Sequence, residues 1–393
     1  MKYNQNIPQG TRDIIFAEAE LYSDITERTA KVFSERGFRQ VRTPAVEFYD
    51  VFDCNKSLRQ ESMYKLTDKS GRLIALRADN TTPMARVAAT KLRGYKLPVK
   101  LFYSQNIYRI NSGWSGHRGE ILQNGVEIIG ATGIKSDLVC ITASIAALEA
   151  LELNFKIELG NVGYYNAMIA ELGLESDEVQ RIREYVEQKN LGKIERYGKI
   201  SRIPMLYGGC EVFAEALDLA GDNREAADAL LYIKRLYDLL CGAGYEDKIM
   251  VDMGIVHDID YYTGMVFRGY TGGAGEPVLT GGRYDRLLSA FGEDIPATGF
   301  ALNVGLIADT VIKNKGYVRD SVPGCLVFFC EDDFPAAEKF AAENGHCEYS
   351  CHETFSEALD FARERGICRA VEIRGGKISA DIITSAENEG AKQ

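Results

Sequence analysis

Three short segments concentrate polar and charged side chains beside apolar runs that favour strands. The first is LRADNTTP at residues 76–83, the second runs from Arg109 through Gln123 to Glu127, and the third is IDYYTG at 259–264, with GGRYD following at 281–285. Carboxylates and arginines form charge-assisted hydrogen bonds, which are the strong ones. These segments are therefore the first candidates for ligand chemistry.

A pair of dipeptides, His346-Cys347 and Cys351-His352, is the only grouping that suggests a metal centre. Structural zinc usually takes four ligands drawn from two well-separated pairs. The residues around these dipeptides are typical of an ordinary strand and turn. The sequence therefore predicts no metal site, and nothing in it indicates a cofactor.

Composition excludes several classes of protein. The chain has 393 residues, of which 46% are apolar and 26% charged, which is ordinary for globular domains. No window approaches 18 uninterrupted apolar residues, so no membrane span is expected. The start, MKYNQNIPQGTRD, lacks the pattern of a signal peptide. Nine cysteines scattered singly fit a reducing compartment, and we expect a cytoplasmic protein.

Negative charge is concentrated towards the C-terminus. The net charge is −11, and residues 321–393 contain 14 acidic and 7 basic side chains. A surface that holds a polyphosphate backbone normally concentrates Lys and Arg. The C-terminal part is therefore a poor candidate for binding RNA.

Apolar periodicity organises the chain into a larger and a smaller domain. Helical spacing predicts a long helix over residues 17–36 and a second helix capped near Ser136. Strands are expected at 99–103, 125–129, 248–253, 261–270 and 277–280, with a hairpin turn at 272–275. We predict an α+β domain with an antiparallel sheet over 1–318, which includes a charge-rich helical segment at about 171–240, and a small α/β domain over 319–393.

Several runs occur in an order that resembles the class II aminoacyl-tRNA synthetases. They are GTRD at 10–13, MYKL at 63–66, DKSGR and LRADNTT at 68–82, GVE at 125–127, DYYTG at 260–264 and GGRYD at 281–285. Within that class the chain is similar to histidyl-tRNA synthetases and to their paralogues, the ATP phosphoribosyltransferase regulatory subunits, over residues 6–310. The resemblance implies the class II synthetase-like antiparallel core.

The resemblance also shows which cationic groups are missing. Arg109 matches the arginine of the family's second motif, but the acidic residue two positions later is Asn111. Family synthetases have an arginine just before the Asp-Tyr-Tyr strand, where this chain has His257. They have another at the end of the third motif, where GFALNVGL at 299–306 contains none. Losing one preorganised donor costs roughly 2.7–4 kcal/mol of transition-state stabilisation, so we expect no adenylate formation and no catalytic residues. Because the matching domain of the synthetases reads an anticodon and the C-terminal part here is acidic, we also expect no binding of tRNA.

Amino-acid recognition is what the resemblance leaves in place. By this comparison Asp79 and Glu127 would bind the ammonium group of L-histidine, and Arg109 would meet its carboxylate. The remaining expected contacts are hydrogen bonds from Thr81 and Gln123 and an aromatic wall around the imidazole formed by Tyr262 and Tyr284.

Each of these residues also has a structural interpretation. Asp79 and Thr81 could cap a helix that begins near Thr82. Glu127 could face solvent on its strand. On a strand, Tyr261 and Tyr262 would point to opposite faces, and we favour Tyr262 for the pocket.

The function implied by the resemblance is that of a non-catalytic regulatory subunit. Such subunits dimerise through the synthetase-like core and assemble with a short catalytic subunit of ATP phosphoribosyltransferase, the first enzyme of histidine biosynthesis. That subunit needs them for activity and for feedback inhibition by L-histidine. The alternatives are a divergent histidyl-tRNA synthetase and a histidine-sensing regulator with the same fold.

Overall fold

The computed structural model describes residues 6–53, 58, 60–110, 118–256, 261–315 and 322–384. Contacts divide the chain into two compact units, Met1–Tyr317 and Val318–Gln393. No helix within the described ranges combines the length and the apolar character that crossing a bilayer requires.

Twelve α-helices lie in the described ranges. They are α1 (Phe16–Glu35), α2 (Tyr49–Asp53), α3 (Thr81–Thr90), α4 (Ile134–Ala150), α5 (Val162–Ala170), α6 (Ser176–Glu187), α7 (Leu191–Ile194), α8 (Val212–Ala220), α9 (Arg224–Gly242), α10 (Val304–Lys315), α11 (Phe334–Asn344) and α12 (Phe355–Arg365). The prediction of α1 is confirmed to within one residue at each end. Its buried side chains Tyr22, Ile25, Thr29 and Phe33 recur at helical spacing, and Gly37 follows it with a φ of 78°.

Sixteen strands lie in the same ranges. They are β1 (Arg39–Gln40), β2 (Val46–Phe48), β3 (Lys65–Thr67), β4 (Leu73–Leu76), β5 (Val99–Tyr108), β6 (Glu120–Ile129), β7 (Phe155–Asn161), β8 (Tyr207–Gly208), β9 (Ile249–Asp252), β10 (Met265–Thr271), β11 (Leu279–Arg283), β12 (Ala297–Asn303), β13 (Cys325–Phe329), β14 (Cys347–Tyr349), β15 (Arg369–Arg374) and β16 (Lys377–Ile383).

A nine-stranded sheet forms the centre of the larger unit. Its order is β1-β5-β6-β12-β11-β10-β7-β9-β8, and all neighbours are antiparallel except the β1–β5 and β7–β9 pairs. Helices α1, α4 and α10 pack on one face and build the main hydrophobic core there. A smaller cluster on the other face joins α3 to Tyr103 and Tyr284. The predicted α+β class and antiparallel core are confirmed.

The helical segment of this unit begins directly after β7. Helix α9 packs against β7, α4 and α5, and its N-cap is Asn223, whose side chain accepts a hydrogen bond from the Ala226 amide. The charge-rich region contains α6 and α7, followed by a 3₁₀ segment over Glu195–Met205. Helices α8 and α9 complete the segment that was expected to be helical at about 171–240.

A separate three-stranded antiparallel sheet, β2-β4-β3, has apolar side chains on both faces. Ala75 on one face belongs to a small core with Tyr49, Phe52, Met63 and Ala78. The strand register places five apolar residues on the opposite face, which we call the apolar sheet face: Val46, Phe48, Leu66, Ile74 and Leu76.

The smaller unit has a four-stranded sheet in the order β14-β13-β15-β16. Strands β13, β14 and β15 run parallel to one another and β16 is antiparallel to β15. Helix α11 contacts β13, and α12 contacts β13 and β15. Helix α12 starts with a capping box between Thr354 and Glu357. The unit has the expected small α/β architecture.

Two local predictions were wrong. Helix α4 begins at Ile134 after Gly133, so Ser136 lies inside its first turn instead of capping it. The third segment is not a strand at Tyr261 and Tyr262, because β10 begins only at Met265. The two rings therefore do not alternate across a sheet, and their centroids are 4.8 Å apart.

Candidate functional site

Glu127 lies on β6 and belongs to the residues expected to form the ligand pocket. It is almost completely buried, with 1% of its surface exposed. Its Oε1 atom accepts a hydrogen bond of 3.0 Å from the Thr81 hydroxyl, and Oε2 accepts one from the Tyr284 hydroxyl. Among the described residues no Lys, Arg or His forms an ion pair with it. Burial, assisted by the charge of Asp79, raises the pKa of Glu127 to about 8.

Glycines make the space that the pocket side chains occupy. Gly299 of β12 lies directly opposite Glu127, and a Cβ atom there would overlap the carboxylate, with Cδ only 2.7 Å away. A Cβ at Gly282 would lie 2.6 Å from the ring of Tyr262. A Cβ at Gly125 would overlap the Tyr103 hydroxyl. These three glycines therefore determine how close the strands and the polar side chains can approach.

Four tyrosine side chains, those of Tyr103, Tyr261, Tyr262 and Tyr284, cluster near Glu127, and we call them the tyrosine wall. The Tyr261 ring lies 4.8 Å from that of Tyr262 and 5.5 Å from that of Tyr284, measured between centroids. Tyr103 and Tyr284 are almost fully buried. Burial, with the nearby Glu127 carboxyl, raises the pKa of Tyr103, so its hydroxyl stays protonated at neutral pH. The wall thus offers flat apolar surface together with hydroxyl groups.

Asp79 has a structural role that is visible in the geometry. Its Oδ1 atom accepts a 2.6 Å hydrogen bond from the Thr82 amide, and Oδ2 accepts one of 2.7 Å from the Thr82 hydroxyl. These bonds satisfy the start of α3, which has Pro83 in its first turn. Burial nonetheless raises the pKa of Asp79, and the hydrogen bonds from Thr82 offset this effect only in part. Asp79 therefore caps the helix and also adds negative charge near Glu127.

Arg109 and Gln123 contact the segment that contains Asp79, at Ala78 and Asn80. The Nε atom of Arg109 donates a 2.8 Å hydrogen bond to the Ala78 carbonyl, and its charge lowers the pKa of Asp79 against the effect of burial. The Oε1 atom of Gln123 accepts a 3.0 Å bond from Asn80. All seven residues expected from the sequence lie within the described part of the chain, and the contacts above connect Thr81, Glu127 and Tyr284 directly.

A cleft of about 310 Å³ is lined by two arginines, Arg12 and Arg118, beside the start of α10. Arg118 forms two 2.6 Å bonds with both carboxylate oxygens of Asp309, and it also reaches the Tyr22 hydroxyl. Arg12 pairs with Glu18 and lies 3.5 Å from Asp309. Cationic groups therefore do approach the third-motif segment, but carboxylates on α1 and α10 already pair with them.

Some sequence-based expectations lie outside the described residues, namely those for Asn111, His257 and Asp260. The suspected metal ligands are described. His346 Nδ1 accepts a 3.2 Å bond from the Gly324 amide, and His352 Nδ1 lies 3.1 Å from the Ser350 hydroxyl. Within the described ranges no group of three or more His, Cys, Asp or Glu side chains is arranged to hold a metal.

Three residues that position the expected pocket side chains were not predicted from the sequence. Tyr103 and Gly299 are both directly beside pocket side chains, and Arg283 anchors the turn that presents Tyr284. The available signals were the glycine after Thr298 and the arginine inside GGRYD. Their meaning depends on strand register, which the motifs do not encode.

Comparison with known proteins gives a consistent result. The family model for histidyl-tRNA synthetase matches residues 10–307. A Clostridium acetobutylicum protein named ATP phosphoribosyltransferase regulatory subunit is 40% identical over 366 residues, which cover 88% of this chain and 89% of the relative. A Bacillus cereus protein of the same name is 36% identical over 337 residues, covering 82% of this chain and 80% of the relative.

Solved structures agree on the fold. A Bacillus halodurans protein, described as an ATP phosphoribosyltransferase regulatory subunit/histidyl-tRNA synthetase, superposes with a TM-score of 0.80 at 27% identity, covering 91% of this chain and 96% of that one. Histidyl-tRNA synthetase from a Nostoc species gives a TM-score of 0.75 at 16% identity, covering 96% and 97%. The latter likeness concerns the fold alone.

Proposed function

The chain belongs to the family of ATP phosphoribosyltransferase regulatory subunits, and from that premise we propose that it binds L-histidine and regulates a separate, short catalytic subunit. The observation that carries the ligand assignment is Glu127, a buried carboxylate held by neutral hydroxyls. A cationic group entering the pocket would supply the missing positive charge. The cysteines among the described residues are free thiols, and thiols stay reduced in the cytoplasm, so we propose that the complex works there.

The contacts suggest which residue binds which group of L-histidine. Both oxygens of Asp79 already accept hydrogen bonds from Thr82, so we assign the main ammonium contact to Glu127. Thr81 and Gln123 would add neutral hydrogen bonds at the edge of the pocket. Arg109 would meet the carboxylate of histidine, and Tyr262 and Tyr284 would enclose the imidazole. Ionic and aromatic groups together would select a zwitterion with a flat side chain.

Feedback inhibition is proposed to follow from differential binding. If histidine binds more tightly to an inactive arrangement of the complex, it shifts the population towards that arrangement. Linkage then requires that substrates bound to the catalytic subunit weaken histidine binding by the same factor. The chain itself would make and break no covalent bond.

Reconstitution with the short catalytic subunit tests this proposal. We expect no phosphoribosyltransferase activity from the chain alone, high activity from the mixture with ATP and phosphoribosyl pyrophosphate, and inhibition of the mixture by L-histidine. Glu127→Ala should keep the activation and lose the inhibition, while the exposed control Glu353→Ala should keep both. Failure to activate would reject the partner assignment, whereas inhibition that survives Glu127→Ala would reject the pocket assignment.

We also propose that two copies of the chain dimerise through the synthetase-like core. The apolar sheet face supports this, because Val46, Phe48 and Leu66 are 43–48% exposed on one side of a sheet whose other side is already a core. A contiguous exposed apolar patch of this kind usually marks an interaction surface. In a twofold dimer the same patch would meet itself.

A negative charge introduced on that face should separate the copies. We expect Phe48→Glu to shift the chain from dimer to monomer in light scattering at micromolar concentration, because burying a carboxylate in an apolar interface carries a large desolvation cost. Leu231→Glu on α9 is the matched control, since Leu231 is 54% exposed and lies elsewhere. A wild-type monomer, or a dimer that tolerates Phe48→Glu, would reject this surface.

A further inference from the structure

A buried ionic network lies on the opposite face of the sheet from the ligand pocket. Arg283 ends β11 and is immediately followed by Tyr284, whose hydroxyl donates to Glu127. Thr298, the strand partner of Arg283, pairs with Ile128, whereas Gly299 pairs with Glu127. Because neighbouring residues on a strand alternate, Arg283 points to the helix face while Tyr284 points into the pocket.

The Arg283 guanidinium is held by the first turn of α4. Its Nη2 atom donates to Asp137 Oδ1 and to the Ser136 hydroxyl, each at 2.6 Å, and to the Gly133 carbonyl at 3.1 Å. Its Nε atom donates to Asp137 Oδ2 at 3.2 Å. The guanidinium is planar and rigid, so these four hydrogen bonds fix its position. The end of β11 therefore cannot shift without breaking several of them.

The helical segment completes the network. The Tyr232 hydroxyl of α9 donates a 2.6 Å hydrogen bond to Asp137 Oδ2. Asp137 is completely buried and Arg283 is 7% exposed, so solvent cannot replace these partners. Burial, together with the charge of Asp137, raises the pKa of Tyr232, which keeps its hydroxyl protonated as a donor.

We propose that Asp137 and Tyr232 are positioning residues for the ligand pocket, acting through Arg283 on the Tyr284 hydroxyl that holds Glu127. The inference rests on the proposed function, since it assigns these residues to histidine binding. It makes α9 part of the support of the pocket, although none of its side chains is among the pocket residues. Changes in α9 would thereby alter the affinity for histidine.

Removal of single hydroxyls tests the proposal. We expect Tyr232→Phe to weaken L-histidine binding, measured by calorimetry, by about threefold to tenfold, which corresponds to the loss of one hydrogen bond in a charged network. Asp137→Asn should weaken it further. The control is Tyr164→Phe, because Tyr164 of α5 is also buried and donates a 2.8 Å bond to the Ala216 carbonyl, away from the network. Tyr164→Phe should lower the melting temperature about as much as Tyr232→Phe does, and it should leave the dissociation constant for L-histidine unchanged.

A second readout does not require histidine. Titration of the Glu127 carboxyl, followed by NMR of ¹³C-labelled glutamate and assigned with Glu127→Gln, reports directly on its hydrogen bond from Tyr284. We expect Tyr232→Phe to raise the pKa of Glu127 and Tyr164→Phe to leave it unchanged, because losing a donor to a carboxylate disfavours the charged form. Absence of histidine binding by the wild-type chain would reject the proposed function. An unchanged Glu127 titration in Tyr232→Phe would reject the positioning role.

Discussion

Glu127→Gln is expected to raise the free energy of unfolding of the ligand-free chain at pH 9 by roughly 3–5 kcal/mol. The reason is the direction of the pKa change, from the ordinary 4.5 to about 8, which burial causes. Between these two values the folded state binds more protons than the unfolded state, so stability falls as pH rises through this window. Below pH 4.5 the carboxyl is protonated in both states, and the difference between the variant and the wild type should disappear.

Denaturant unfolding at a series of pH values measures this effect. The exposed Glu353→Gln serves as the control and should follow the wild type throughout. A wild-type stability curve that stays parallel to that of Glu127→Gln from pH 5 to pH 9 would show that Glu127 is not the uncompensated buried carboxyl described above.

The same substitution should weaken histidine binding on the order of 100-fold at pH 8.5, since a neutral amide replaces the charged partner of the ammonium group. Stability and affinity therefore change in opposite directions. Binding sites that hold an unpaired charge commonly show this trade-off. Calorimetric titration would measure the affinity, and undiminished binding by Glu127→Gln would reject the ammonium assignment.

Gly299→Ala is the second substitution with a large expected effect. The added Cβ would overlap the Glu127 carboxylate and the Val126 carbonyl, and a backbone carbonyl in a central strand pair cannot move aside. We expect a loss of stability of about 1–3 kcal/mol or more from this overpacking, together with loss of histidine binding.

Gly275→Ala provides the comparison for this variant. Gly275 lies in the hairpin between β10 and β11, and a Cβ there would meet nothing within 4 Å. Its melting temperature and histidine affinity should remain close to those of the wild type. If Gly299→Ala behaves like Gly275→Ala, Glu127 does not lie against β12 in the way the register requires.

Elements with strong local signals could be predicted from sequence. The apolar spacing of α1 and the hairpin around 272–275 are encoded within a few neighbouring residues, and the structure confirms them. The start of α4 could not be predicted in the same way. Ser136 resembles a cap, but its hydroxyl bonds to Arg283, which is 147 residues away in the chain.

The family could be predicted, and the relatives confirm it, because the order of several motifs is specific even when each motif is weak. The geometry within the site could not be predicted from the sequence. The opposition of Gly299 and Glu127 depends on the register of two strands, and the capping bonds of Asp79 depend on where α3 begins. Packing of Tyr261 against Tyr262 depends on a strand that starts later than its residue types suggest.

We propose that the chain keeps an amino-acid pocket, in which Arg109 meets the ligand carboxylate, and that the other positive groups needed for nucleotide chemistry are not available in the described residues. In the described part of the molecule the arginines beside the third-motif segment, Arg12 and Arg118, are paired with Glu18 and Asp309. Preorganised positive charge is the main catalytic device for adenylate formation, and paired groups cannot supply it without first breaking their bonds.

Exchange of labelled pyrophosphate into ATP, measured on the purified chain with Mg²⁺ and saturating L-histidine, tests this proposal. We expect exchange no faster than in a reaction without protein, from a preparation that binds histidine in calorimetry. Histidine-dependent exchange above this background would contradict it and would identify the chain as an active amino-acid-activating enzyme.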